Sequence, residues 1–257
     1  MINARRLLRA FGIEWGYLMN KCCNRKYLLL LYTATLLFCF ITGIIIVMGQ
    51  HNSECVDTMS VISDRNCLII DAGHGGADGG AVAADGSKES EINISVALKL
   101  KELCDLMGIN NLMTRDSESL PYPESAASIA DKKNWDQRRR LDIINSDPNA
   151  VLTSIHQNFY PDPRPSGVQV LYGKAGNSRE LGEKCHEILN SVLTPDNRRL
   201  ASAAPDNIFL MNRAECTAIL VECGFISNPE ELENLKTESY QMKIAAVLLA
   251  AYLEHIY

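Results

Sequence analysis

Ile70-Asp71-Ala72-Gly73-His74-Gly75-Gly76 follows directly on Cys67-Leu68-Ile69, and this stretch decides how the chain reads. A short apolar run ending in a glycine-rich turn is the pattern of a buried strand with a polar residue at its tip. Two later stretches have the same form. His156 follows Val151-Leu152-Thr153-Ser154-Ile155, and Glu222 follows Ala218-Ile219-Leu220-Val221. In an open α/β sheet, ligands gather beyond the carboxyl ends of the strands. His74, His156 and Glu222 can therefore converge although they are far apart in the chain. A fourth polar candidate, Glu89, opens the helical pattern that comes after the glycine turn.

Outward from these stretches, strand and helix patterns alternate. Glu89–Met107 carries Val96, Leu100, Leu103 and Met107 at helical spacing. Asn111–Arg115, Ala150–Ile155, Gly167–Tyr172, Asn207–Met211 and Ala218–Val221 read as strands. Trp135–Asn145, Ser178–Leu193 and Ser239–Ile256 read as helices, and Ser117–Lys133, with Pro121 and Pro123, as a loop. The alternation predicts an α/β domain, a mostly parallel or mixed sheet with helices on both faces.

The chain has 257 residues, 47% hydrophobic and 22% charged, with a net charge of −6. The first 50 residues hold six bases against Glu14, so the acidity lies in the remainder. An acidic body excludes general nucleic-acid binding, which needs clustered bases. Tyr27–Met48 is a run of 22 residues without a charge. As a helix it would span about 33 Å, enough to cross a bilayer. All six bases precede it, which predicts a cytoplasmic N-terminus and an external C-terminal part. The length of the run favours an uncleaved anchor over a cleaved signal peptide. The expected organisation is a basic leader (1–26), a transmembrane anchor (27–48), a polar tether (49–65) and one catalytic domain (66–257). The expected location is the cell membrane, single-pass, with the domain on the extracytoplasmic side.

Nine cysteines are scattered without a Cys-x-x-Cys pair, so no cysteine metal site is expected. Those in apolar runs read as small core residues. His186, among Glu183, Lys184 and Glu187, reads as exposed. Arg115, Arg138 and Arg139 read as solvated charges, with Arg115, at a strand end, placed to steady a site.

Two histidines and a carboxylate form a catalytic zinc shell that leaves a position open for water, and a second, unligated carboxylate can take that water's proton. A lone histidine is more often structural than a ligand. One placed past a strand end among Gly73, Gly75 and Gly76 is harder to dismiss, because glycines let backbone fold tightly around a bound group. Competing motifs fail. Asp78 stands where the third glycine of a dinucleotide fingerprint belongs, and the chain has no His-Glu-x-x-His and no Gly-x-Ser-x-Gly.

Ile70–Gly76, Ser154-Ile155-His156-Gln157-Asn158 and Val221-Glu222-Cys223-Gly224-Phe225-Ile226-Ser227-Asn228-Pro229 together resemble the zinc N-acetylmuramoyl-L-alanine amidase family of bacterial cell-wall hydrolases. The resemblance runs in order from about Cys67 to Tyr257. It is strongest to the spore-cortex maturation branch, given the short anchor, the absence of wall-binding repeats and Val221-Glu222-Cys223-Gly224-Phe225. It implies zinc ligands His74, Glu89 and His156, with Glu222 as general base and acid. Lys88-Glu89-x-x-x-Asn93 is the family pattern that selects Glu89 over Glu91. It also implies the substrate, the peptidoglycan amide between N-acetylmuramic acid and L-alanine, and Zn2+ as the only cofactor. Ala72, Ser90 and Gln157 depart from the family's common residues, and none of them removes a ligand. Two other classes remain beside this one: a non-catalytic peptidoglycan-binding relic, and another zinc peptidase or deacetylase of the cell wall. The sequence names no accessory protein.

Overall fold

The computed structural model describes residues 67–257, and the leader, the Tyr27–Met48 segment and the tether lie outside the described residues. Among the described residues no helix is long and apolar enough to cross a membrane.

Six strands form one sheet: β1 (Leu68–Ala72), β2 (Asn111–Met113), β3 (Val151–Asn158), β4 (Gln169–Tyr172), β5 (Ser202–Ala203) and β6 (Thr217–Phe225), in the order β2-β1-β3-β6-β4-β5. The four strands from β2 to β6 run parallel. β4 turns antiparallel to β6, and β5 follows β4. The sheet is therefore mixed. Its register sets Asp71 opposite Ser154, Ala72 opposite Ile155 and His156 opposite Glu222, so the three polar strand ends lie side by side.

The helices are α1 (Glu89–Leu106), α2 (Ile129–Ile144), α3 (Ser178–Leu193), α4 (Phe209–Arg213), α5 (Pro229–Leu235) and α6 (Glu238–Ile256). Strand residues alternate between two cores, as a pleat requires. Leu68, Ile70, Val151, Ile155, Ile219 and Val221 pack with α1, α3 and α6. Ile69, Leu152, Ala218 and Leu220 face the other way, against Ile144 of α2 and Met211 of α4. Each fully buried Leu or Ile contributes about 1.5–3 kcal/mol relative to exposure, so the central strands are held firmly from both sides. Cys104, Cys185, Cys216 and Cys223 are buried core residues, as expected.

Two elements differ from the sequence reading. The loop expected through Lys133 ends at Ser128, whose hydroxyl accepts from Asp131 N while the Asp131 carboxylate reaches back to Ser128 N. This capping box starts α2 six residues before Trp135. Asn207–Met211 is not a strand: Phe209–Arg213 forms a short helix that buries Met211.

Candidate active site

β1 delivers the chain into the His74 loop. His74 has φ 60°, and among the described residues it is the one non-glycine with positive φ. A left-handed residue with a Cβ costs about 1–2 kcal/mol, so the surroundings must impose this conformation. Its ring turns toward Glu89 in the first turn of α1, with Nε2 3.4 Å from Glu89 Oε2. His156, at the end of β3, meets the other carboxylate oxygen, Nδ1 to Oε1 at 2.9 Å. The two imidazoles stand edge to face with centroids 5.0 Å apart. One donor atom from each of His74, Glu89 and His156 lies within 4.8 Å of the others.

The Glu89 carboxylate also accepts from Ala81 N at 2.9 Å, Gln157 N at 3.1 Å and Asn93 Nδ2 at 3.3 Å. Burial opposes its charge. The hydrogen bond from His156, the two imidazoles and the Ala81 amide outweigh burial and bring its pKa down to about 2. Gln157, unusual in the motif, donates Nε2 to Asn93 Oδ1 at 3.1 Å and so braces the same carboxylate. Ser90 is fully buried and bonds Glu118 at 2.6 Å. Asp78 lies 3.1 Å from His74 Nδ1 and 3.0 Å from Lys133 Nζ. A carboxylate on Nδ1 makes that nitrogen the donor, which leaves the Nε2 lone pair facing Glu89.

Glycines give the site its room. A Cβ on Gly80, at φ +68°, would stand 2.5 Å from Glu89 Oε2 and 2.8 Å from His74 Cδ2. On Gly73 it would meet the His156 ring at 2.3 Å.

Glu222 faces His156 across the β3–β6 pair. Its Oε2 is buried with no hydrogen-bond partner. Burial pushes its pKa up from the ordinary 4.5 to about 7, against the pull of His156 and with a further push from Glu89. Two imidazoles, one ionised carboxylate and an orphaned carboxylate oxygen beside them fit a catalytic zinc centre, whose ligand set is nitrogen and oxygen with one position open.

A sequence model described as N-acetylmuramoyl-L-alanine amidase matches residues 68–253. The chain belongs to this family. A germination-specific N-acetylmuramoyl-L-alanine amidase of Bacillus subtilis is 29% identical over 224 residues, 84% of this chain and 92% of that protein. The CwlD amidase of Clostridioides difficile, solved in complex with the GerS lipoprotein, superposes with a TM-score of 0.71 at 33% identity, covering 74% of this chain and 98% of that one. The amidase LytC of B. subtilis is 25% identical over 70% of this chain, which spans only 34% of LytC.

In this amidase the four residues expected to do the chemistry share one cleft of about 350 Å³. Lys133 and Gln137 of α2, with Phe159 and Phe209, line it further. His186 departs from expectation: it is 4% exposed, on the inner side of α3, with Asn190 on its ring. Its charged neighbours lie on the outer side of the same helix. Arg138 is exposed, whereas Arg139 lies over the Trp135 ring and bonds Thr114 O at 2.8 Å. The sequence reading missed Asp78, four residues after His74, and Arg140, which is buried.

The raised Glu222 gives a pH dependence to the metal-free protein. Between about pH 4.5 and 7 the folded chain keeps a proton that the unfolded chain has released, so stability falls as pH rises through this window. Glu222→Gln removes that loss. Metal-free Glu222→Gln should gain on the order of 3 kcal/mol over the parent above pH 7, and nothing below about pH 4.5. Urea melts of both proteins at pH 4.5 and 8 check this, and an equal difference at the two pH values contradicts it.

Proposed function

We propose that this amidase hydrolyses the peptidoglycan amide between N-acetylmuramic acid and the first L-alanine of the stem peptide, with His74, Glu89 and His156 as zinc ligands and Glu222 as the proton carrier. One observation supports this most: the orphaned oxygen of Glu222 lies beside two imidazoles and a carboxylate whose donor atoms face one another. When bound there, zinc supplies Lewis acidity toward the carbonyl and acidifies a water molecule. Glu222 takes the proton of the attacking water and passes it to the departing amine. Burial raises its pKa above the ordinary carboxylate value, toward the range in which a group can serve as base and then as acid. Glu89, held ionised by His156, His74 and the Ala81 amide, keeps its charge for the metal. Asp78 fixes the tautomer of His74. The cleft wall from α2 and Phe209 orients the glycan and peptide around the reacting bond.

The proposal has a simple test. Incubated with intact peptidoglycan, the purified full-length protein should release free stem peptides and should contain about one zinc per chain, as a three-ligand site implies. His74→Ala should abolish zinc retention. Release of D-alanine would instead mark a carboxypeptidase, acetate a deacetylase, and no product at all a binding relic. Undiminished activity after thorough chelation would remove zinc from the mechanism.

The relationship to a germination-specific amidase supports a role in spore cortex maturation. Residues 66–257 then form the catalytic domain, with Tyr27–Met48 as a membrane anchor and 49–65 as tether. The GerS complex of the C. difficile relative makes an accessory protein part of the same proposal. Protease added to intact protoplasts should remove the catalytic domain and leave a small membrane stub. Full protection of the domain would refute this placement, and a soluble form starting near Gln50 would mean a cleaved signal.

A further inference from the structure

The left-handed His74 backbone lies between two buried guanidiniums. Arg140, on α2, is 2% exposed, and Arg115, just beyond β2, is 4% exposed. Arg140 donates Nη1 to Ala72 O at 2.5 Å and Nη2 to His74 O at 2.5 Å. Arg115 donates Nε to Ala72 O at 2.8 Å and Nη2 to Gly73 O at 3.1 Å. Three consecutive carbonyls, those of Ala72, Gly73 and His74, are thus held from two sides. The arginines are fixed in turn. Arg140 pairs with Asp71 at 2.7 Å and Asp136 at 2.8 Å, and Asp71 also binds Thr114 and Ser154. Arg115 reaches Ser90 O at 2.8 Å and Ser117 O at 2.9 Å, and pairs with Glu118 at 3.3 Å.

Two cations beside a site for a dication do not attract the metal, so their value there has to be geometric. A guanidinium is planar, with five N–H donors at fixed angles. It can fix the spacing of several acceptors at once, which an ammonium on a flexible stem cannot. The carbonyls it holds set the peptide planes on both sides of the His74 Cα, and those planes set where the imidazole points.

We propose that Arg115 and Arg140 are positioning residues for the metal site, locking the His74 backbone and so the aim of its ring at Glu89. The proposal rests on the reading of His74, Glu89 and His156 as zinc ligands. Arg115→Lys and Arg140→Lys keep the charge but lose the rigid fork. Zinc affinity of the full-length protein is measured by competition with a chelator of known affinity, alongside thermal unfolding and activity at rising zinc. Leu189→Ala is the control, since Leu189 is fully buried on α3, which packs on β4, β5, β6 and α6, and its truncation should destabilise the fold without removing a bond to the loop. Each lysine variant should bind zinc about 10–100-fold more weakly, the usual effect of removing a group that orients a metal ligand. Its turnover should recover at saturating zinc, and Leu189→Ala should keep parental affinity. Parental affinity in both lysine variants overturns the proposal, as does an equal loss in Leu189→Ala. If one lysine variant does not fold, the other decides alone. His74→Ala separates the two levels: zinc lost there but kept in the lysine variants refutes only the clamp, whereas zinc kept in His74→Ala refutes the ligand assignment itself.

Discussion

Glu222→Gln should keep its zinc, bind peptidoglycan as the parent does, and turn over two to four orders of magnitude more slowly. That range is about what a positioned general base contributes. The amide preserves shape and one carbonyl oxygen but accepts no proton near neutral pH. Glu222 sits on β6 opposite His156, with one oxygen buried and unpartnered. Glu89 differs: three N–H groups and two imidazoles converge on its carboxylate. Glu89→Gln should therefore lose metal affinity first, because a neutral amide is a poorer ligand than a carboxylate. Zinc content and turnover of both variants, measured on a muramoyl-peptide substrate, decide the matter. Zinc lost from Glu222→Gln but kept in Glu89→Gln would reverse the two roles, and full activity of Glu222→Gln would refute the mechanism.

Gly73→Ala should be nearly as damaging, although it removes no functional group. Its new Cβ would lie 2.3 Å from His156 Cε1 and Nε2, well inside contact distance. The ring cannot yield without leaving Glu89, to which it is bonded at 2.9 Å. A displacement of about 1 Å at a reacting centre costs roughly a hundredfold in rate, so a loss of at least that size is expected, together with weaker zinc binding. Gly86→Ala is the informative comparison. Gly86 also has positive φ, +89°, but a Cβ there meets nothing within 4 Å. That variant should lose about 1–2 kcal/mol of stability from the left-handed backbone and keep its activity and metal. Equal zinc affinity in Gly73→Ala and the parent would contradict the steric argument.

The strand tips were legible because each combines an apolar run with a polar stop, and a parallel sheet brings such stops to one edge. Glu89 needed the family pattern in addition, since nothing local separates it from Glu91. The misreadings have physical reasons. Ile208-Phe209-Leu210-Met211 is a four-residue apolar run, too short for periodicity to separate strand from helix. The start of α2 was hidden by two prolines and many small residues, although Ser128 and Asp131 carry the spacing of a capping box. The sequence neighbours of His186 are charged, yet residues beside it in the chain point some 100° away around a helix. Arg140 stood unmarked in a run of three arginines. Only its place four residues after Asp136 signalled that it, rather than Arg138 or Arg139, turns inward. The left-handed His74 could not be foreseen, since it follows from carbonyls caught by residues 41 and 66 positions away.

The position of β6 sets when the enzyme becomes competent during its own synthesis. Of the described strands it is the last to be made, yet it lies in the middle of the sheet, between β3 and β4. A nascent chain that has passed β5 already carries His74, Glu89 and His156 but has a gap where Glu222 belongs, and β4 and β5 have no neighbour to join them to β3. Activity therefore cannot build up in stages as the polypeptide lengthens. With Glu222 as the proposed proton carrier, activity is expected only after β6 has entered the gap, and a product that ends before Thr217 should show none.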